Sequence, residues 1–174
     1  MKKLLFVAVA TIGFVYSGSA QDVNFGVKAG LNNTNFTGDA DSDAKTSFYV
    51  GGFVDYAVSE KFHLQPELLY SSEGASDDLG LSYLRIPIMA KYYVAESFSL
   101  LAGPSVAFKI AAEDDGFDEF TKSMDFGLGF GAAYDLENGL FFDARYNLGL
   151  QNISDVDGVD IKNTGFQVGL GYKF

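Results

Sequence analysis

The sequence predicts an all-β fold, an eight-stranded antiparallel up-and-down transmembrane β-barrel, and three observations carry that reading. From Val23 onward apolar and polar residues alternate with period two over segments of about ten residues, the length a membrane-crossing strand needs. No segment keeps the 3.6-residue stripe of an amphipathic helix. The links between segments are alternately three residues long and much longer, and one face of every segment is free of charge. Composition agrees, because 20 Gly, 17 Phe and 10 Tyr beside only 3 Pro favour strands and turns.

Before the first segment, Lys2 and Lys3 precede an apolar run from Leu4 to Tyr16, followed by Ser17, Gly18, Ser19 and Ala20. Basic residues, an apolar stretch and small residues in that order read as a secretory signal over 1–20, with cleavage expected before Gln21 and a barrel domain over 21–174. The run is too short to cross ~30 Å of hydrocarbon as a helix. Loss of Lys2 and Lys3 leaves 10 basic and 23 acidic residues, a net charge of −13, which argues against nucleic acid as a partner.

The eight segments follow in order. The first sets Val23, Phe25, Val27, Ala29 and Leu31 against Asn24, Gly26, Lys28, Gly30 and Asn32. The second sets Phe48, Val50, Gly52, Val54, Tyr56 and Val58 against a face with Phe53 and Asp55. In the third, Phe62, Leu64, Pro66, Leu68 and Tyr70 oppose His63, Gln65, Glu67, Leu69 and Ser71. The fourth places Leu84, Ile86, Ile88, Ala90, Tyr92 and Val94 opposite Tyr83, Arg85, Pro87, Met89, Lys91 and Tyr93. The fifth runs from Phe98 to Ile110 with Lys109 on its polar face, and the sixth from Asp125 to Leu136 with Asp125 and Asp135 there. The seventh, Leu140 to Leu150, carries Asp143 and Arg145, and the last, Phe166 to Phe174, carries Lys173.

Three-residue turns at Ser59 to Lys61, Ala95 to Ser97 and Glu137 to Gly139 fall at alternate junctions, as antiparallel hairpins require. The other four links run from about Thr37 to Ser47, Ser72 to Asp78, Ala111 to Lys122 and Gln151 to Asn163. Short turns on one rim, long loops on the other and an even strand count are the pattern of an outer-membrane barrel. Both ends of the barrel domain then lie on the short-turn rim.

Volume decides which face is outside. An eight-stranded barrel has an interior just wide enough for side chains or one small ligand. The apolar face is too bulky for that interior, whereas the polar face is rich in glycine (Gly51, Gly103, Gly127, Gly129, Gly131, Gly169, Gly171), which is expected to make room for long charged side chains. The apolar face is therefore read as facing lipid, with aromatic residues near both of its ends. Lys28, Asp55, Glu67, Arg85, Lys91, Asp125, Asp143 and Arg145 are expected to form an ion network inside, with Lys109, Asp135 and Lys173 in the same lumen. Glu67 is expected to bond Arg85 or Lys91 from the adjacent strand, and Arg145 an acid on the sixth or seventh strand.

Several runs carry a family likeness: Phe25-Gly26-Val27-Lys28-Ala29-Gly30, Leu64-Gln65-Pro66-Glu67-Leu68-Leu69-Tyr70, Tyr83-Leu84-Arg85-Ile86-Pro87, Ala144 to Leu150, and the terminal Phe174. On them the chain resembles the small outer-membrane barrels common in Bacteroidetes-type bacteria, called porin-family or PorT-like, and more distantly OmpX and the OmpA barrel. The resemblance implies an outer-membrane location, contact with outer-membrane lipid and lipopolysaccharide, and Phe174 as the signal read by the outer-membrane assembly machinery. It implies no single activity.

Chemistry-bearing motifs are few. With no cysteine there is no disulfide framework, thiolate metal site or lipid-anchor residue. His63 is the only histidine and falls near the short-turn rim of the interior, away from where outer-membrane lipid deacylases and proteases hold theirs, so it is read as an ordinary interior residue. No catalytic residue, cofactor or defined metal site is expected, and the protein is read as not an enzyme.

The long loops carry Asp39, Asp41, Asp43, Glu73, Asp77, Asp78, Glu113, Asp114, Asp115, Asp118, Glu119, Asp155, Asp157 and Asp160 against Lys45, Lys122 and Lys162. Asp39-x-Asp41-x-Asp43 lacks the glycine and the final Glu of a calcium loop, with Ala44 and Val50 in those places, so weak divalent-cation contact is the most these loops are expected to make. The reading is a monomeric membrane anchor presenting acidic loops for envelope stabilisation, adhesion or partner binding. A narrow channel for small solutes and an accessory subunit of a secretion system are the alternatives.

Overall fold

The computed structural model describes residues 23–38, 44–75, 79–112, 122–154 and 158–174. They form eight strands: β1 Val23–Gly38, β2 Lys45–Ala57, β3 Phe62–Ala75, β4 Leu79–Tyr93, β5 Phe98–Ala112, β6 Met124–Asp135, β7 Leu140–Gly149 and β8 Ile161–Lys173. Each strand pairs antiparallel with its sequence neighbours, and β8 pairs back on β1 to close the barrel. Closure gives every strand a partner on both sides, the condition for a sheet to live in hydrocarbon.

The short turns are tight. Val58 and Ser59 N–H both donate to Phe62 O at 2.9 Å, and Leu136 N–H donates to Leu140 O at 2.8 Å. Gly139 turns the last of these with φ +88°, a conformation that favours glycine. The final residue closes the ring, with Phe174 N–H donating to Phe25 O at 2.8 Å.

On the opposite rim the strands run past the ends that alternation predicts. β1 continues from Asn32 to Gly38, β3 from Ser71 to Ala75, and β8 begins at Ile161 rather than Phe166. The outward residues of these extensions include Asn33, Asn35, Thr37, Ser72, Lys162 and Thr164, and they face Thr46 and Ser82 on the neighbouring strands, so apolar-polar contrast is lost while backbone pairing persists. A hydropathy pattern ends where hydrocarbon ends. The strand need not.

Two expectations are corrected. Ser72 to Ala75 belong to β3, so Glu73 is not a loop acid; it is buried in the lumen opposite Leu81. Four of the inward glycines make way for rings rather than for long ions, while Gly51, Gly103 and Gly131 sit closest to a backbone carbonyl of the next strand. A Cβ on Gly26 would collide with Phe53, on Gly171 with Phe141, and on Gly30 or Gly169 with Tyr49. Aromatic rings and charges share the interior.

Below the strand extensions, outward-facing side chains are apolar down to the short-turn rim. Leu31, Phe48, Leu68, Ile88, Leu100, Leu128, Phe142 and Leu170 are all exposed, while the charged residues Lys28, Asp55, Glu67, Arg85, Lys91, Asp125, Asp143 and Arg145 are buried. A soluble protein does not expose a continuous apolar surface of this kind.

Candidate functional site in the barrel lumen

The period of two that sends leucine and phenylalanine outward sends the charged residues inward, and they meet there in three layers. At the short-turn rim, Lys173 of β8 reaches Asp55 of β2 at 3.1 Å and Asp135 of β6 at 2.8 Å. Lys91 donates to Asp135 at 2.7 Å and Tyr93 OH donates to it at 2.8 Å. His63 Nδ1 lies 2.5 Å from Asp55 Oδ1, and its ring meets the edge of Tyr93 at 4.9 Å between centroids. A carboxylate and an aromatic ring hold this histidine as a packed interior residue.

The middle layer sets Lys28 and Arg145 against Glu67 and Asp143. Arg145 forks onto Glu67, with Nη1 donating to Oε2 at 2.9 Å and Nη2 to Oε1 at 2.6 Å, while its Nε lies 2.7 Å from Asp143 Oδ2. Lys28 donates to Asp143 at 2.5 Å and stands 3.7 Å from Glu67. Gln65 donates to Glu67 Oε1 at 2.7 Å, and Lys28 sits over the Tyr49 ring at 5.4 Å. Two cations face two carboxylates, so the layer is neutral although nearly dry.

The upper layer is built on Arg85. Its Nε and Nη2 donate to the two oxygens of Glu73 at 2.8 and 2.6 Å, and its Nη1 to Ser105 Oγ at 3.1 Å. Ser71 and Asn163 also donate to Glu73, and Asn32 links Ser71 to Gln167. Asp125 lies 3.5 Å from Arg85 Nη2, and neither of its oxygens is held by a close hydrogen bond. One cation faces two acids here.

Above the ions lies an apolar cap of Phe36, Leu81, Tyr83, Ala107 and Ile153, all buried. Ile153 comes from the link between β7 and β8, which folds back over the lumen. Its N–H donates to Ile161 O at 2.8 Å and its carbonyl accepts Lys122 N–H at 2.8 Å. Asn152 secures the turn, its Oδ1 accepting from Ser154 N–H at 2.9 Å and Ile161 N–H at 3.0 Å. Between the upper ions and the wall, a cavity of about 10 Å³ is lined by Asn32, Thr34, Glu73, Arg85, Asn147 and Asn163, room for about one water.

Arg145 lies 2.7 Å from an acid of the seventh strand, Asp143, as expected, and one expected pairing is corrected. Glu67 bonds neither Arg85 nor Lys91; it takes Arg145 from across the lumen, while Arg85 takes Glu73 and Lys91 takes Asp135. Arg85 does bond the adjacent strand, but to Glu73 nearer the loop rim, which leaves Glu67 to the cation that faces it across the barrel. Glu73 was missed because the apolar partner face fades at Ser72, yet the parity that places 67, 69 and 71 inward reaches 73 unchanged.

Among the described residues, no group of three or more His, Asp and Glu is placed to hold a metal ion. The acids of the long loops lie outside the described residues, except Asp160, which accepts from Lys162 at 2.9 Å on the exposed rim. Residues 1–22, with the expected signal segment, also lie outside them.

A closed antiparallel barrel with a continuous apolar exterior and an ionic interior is an integral membrane protein, because that exterior suits hydrocarbon and closure lets the backbone live there. The chain belongs to the outer membrane protein beta-barrel domain family, whose model matches residues 19–155. Its architecture is shared with Neisserial surface protein A, at a TM-score of 0.59 and 16% identity over 88% of this chain and 99% of that one. It is shared also with Ail, the attachment invasion locus protein of Yersinia pestis, at 0.56 and 15% identity over 88% and 99%. A second structure of Ail, in complex with the heparin analogue sucrose octasulfate, matches at 0.51 and 15% identity over the same shares. No curated protein matches the sequence.

Proposed function

We propose that the protein is a non-enzymatic outer-membrane anchor, a monomer whose barrel is packed solid and whose activity lies in the acidic loops it holds above the lipopolysaccharide leaflet. The observation that carries this reading is the filled lumen, with three ion-paired layers lying under the cap of Phe36, Leu81, Tyr83 and Ile153. A barrel of eight strands has no spare interior once those side chains are inside. What remains to meet a partner is the loop rim, where loops on a rigid scaffold carry function.

The loop charge narrows the partner. Ail is described with a sulfated heparin analogue. In this chain the loop acids left after Glu73 is placed inside still far outnumber Lys45, Lys122 and Lys162, which suits a cationic surface, or lipopolysaccharide phosphates bridged by divalent cations held weakly between the two. On this reading the segment 1–20 is cleaved after export, and Phe174, exposed at the end of β8, is what the assembly machinery reads. The family likeness to PorT-like barrels leaves an accessory role in secretion as a further form of partner binding by the same loops.

Conductance of the purified barrel in planar lipid bilayers tests the filled lumen. The anchor reading expects no steady open current, and a sustained current at low voltage would replace it with the narrow channel.

A further inference from the structure

All three prolines of the chain lie inside strands, Pro66 in β3, Pro87 in β4 and Pro104 in β5. Proline has no N–H, so the carbonyl opposite it receives no ladder bond. The registers mark where this happens. Pairing of β2 with β3 runs through Phe53↔Glu67 and resumes at Tyr56↔Leu64. Pairing of β3 with β4 stops at Pro66↔Ile88 and resumes at Leu69↔Arg85, and that of β4 with β5 stops at Pro87↔Ser105 and resumes at Ala90↔Ala102. At each gap the lost rows are the proline's own row and the one beside it, the pair that a single missing N–H removes.

The carbonyls of Val54, Glu67 and Ile88 are thus left without ladder donors on three consecutive seams. The other five seams, from β5 round to β2, pair without a gap. In hydrocarbon no water replaces a lost ladder bond, so each of these three seams carries an unmet carbonyl that the other five do not. The two gaps nearest each other flank Gln65 to Leu68, which within four residues loses one ladder bond to β2, at Pro66, and one to β4, at Pro87. Side chains hold that piece instead, because Glu67 is clasped by both terminal nitrogens of Arg145 across the lumen, and Gln65 bonds Glu67.

We propose that Gln65 to Leu68 is a displaceable panel in the barrel wall, latched to β7 by the Glu67–Arg145 pair, so that the wall between β2 and β5 opens toward lipid while the other half stays closed. The barrel that anchors the loops is then rigid on one side only.

Amide-resolved hydrogen exchange of the full barrel in phospholipid nanodiscs tests it. The amides of Val54, Glu67 and Ile88 are expected to exchange about tenfold or more faster than those of Leu128, Ala144 and Leu170 in the unbroken half. Pro66→Val and Pro104→Val, both on the lipid side, supply the missing N–H and are expected to slow Val54 and Ile88 respectively into the range of the unbroken half. Arg145→Lys keeps the charge, removes the fork and is expected to quicken exchange at Glu67 and Leu68 while leaving Leu170 unchanged. Equal protection in both halves, or proline variants that leave exchange unaltered, would overturn the panel.

Discussion

Glu67 on β3 and Arg145 on β7 are 78 positions apart in the chain and grip each other through two hydrogen bonds of 2.9 and 2.6 Å across the middle of the lumen. The pair is embedded in a layer with Lys28 and Asp143, and the balance of two cations and two acids decides what a substitution does. Glu67→Gln leaves Lys28 and Arg145 against Asp143 alone, one buried positive charge in excess. That excess is expected to cost about 3 to 5 kcal/mol, because the stranded ion keeps its desolvation penalty. Glu67→Gln with Arg145→Met leaves Lys28 with Asp143, a neutral pair at 2.5 Å, and is expected to cost less than the single change. Urea unfolding of the barrel from lipid vesicles measures both, and simple additivity of the two single costs would refute the coupling.

The upper layer predicts the opposite sign. Asp125 is buried, is held by no close hydrogen bond and lies 3.5 Å from an arginine already committed to Glu73. Asp125→Asn removes an ion that has lost its water and gained only a distant arginine, and leaves Arg85 neutralised by Glu73. The variant is expected to be neutral or up to about 1 kcal/mol more stable, where Glu73→Gln should destabilise. A large loss of stability for Asp125→Asn in the same unfolding assay would show that its carboxylate is held by something more than Arg85.

How far these arrangements can be read from the sequence depends on which side of the wall a residue faces. Lipid imposes a one-dimensional rule, apolar or not, at every second position, and it made the membrane-spanning parts of all eight strands, their outward faces and the short turns legible. The lumen imposes a three-dimensional rule. Lys28, Glu67, Asp143 and Arg145 could be placed inside by parity, but the choice of Arg145 over Arg85 for Glu67 depends on distances across the barrel that spacing along the chain does not encode. Glu73 stood at the border between the two rules, since the hydrocarbon pattern had ended and the strand had not. The Ile153 cap was illegible for another reason, because it comes from a link between strands, where neither period applies.

The lipid face gives the most direct test of the barrel's orientation. Leu128 on β6 is exposed to the membrane side and pairs with Pro104 and Leu148, both also outward. Leu128→Arg is expected to cost about 2 to 4 kcal/mol near the bilayer midplane, and Val106→Arg somewhat less if it lies nearer the loop rim. Arginine at Asp115, in a long loop, should be tolerated. Equal folding yields for the three variants in lipid vesicles would mean that the outward face does not meet hydrocarbon.

Tyr49 and Gly169 supply a test of the interior that does not depend on charge. Tyr49 projects inward from β2, and its ring passes over Gly30 of β1 so that its hydroxyl occupies the space that a side chain at position 169 of β8 would need. An added methyl there meets the hydroxyl and ring carbon of Tyr49 rather than open lumen. The ring has little freedom to retreat, because Lys28 lies over it at 5.4 Å and its hydroxyl is directed at Asp143, 3.4 Å away. Gly169→Ala is therefore expected to destabilise by about 1 to 3 kcal/mol, the usual range for overpacking a filled core. Tyr49→Leu removes the colliding atoms, so Gly169→Ala in that background should cost only a small fraction of its cost alone. If the glycine were instead needed for backbone conformation, the alanine would cost the same in both backgrounds, and a double-mutant cycle in vesicle unfolding separates the two outcomes.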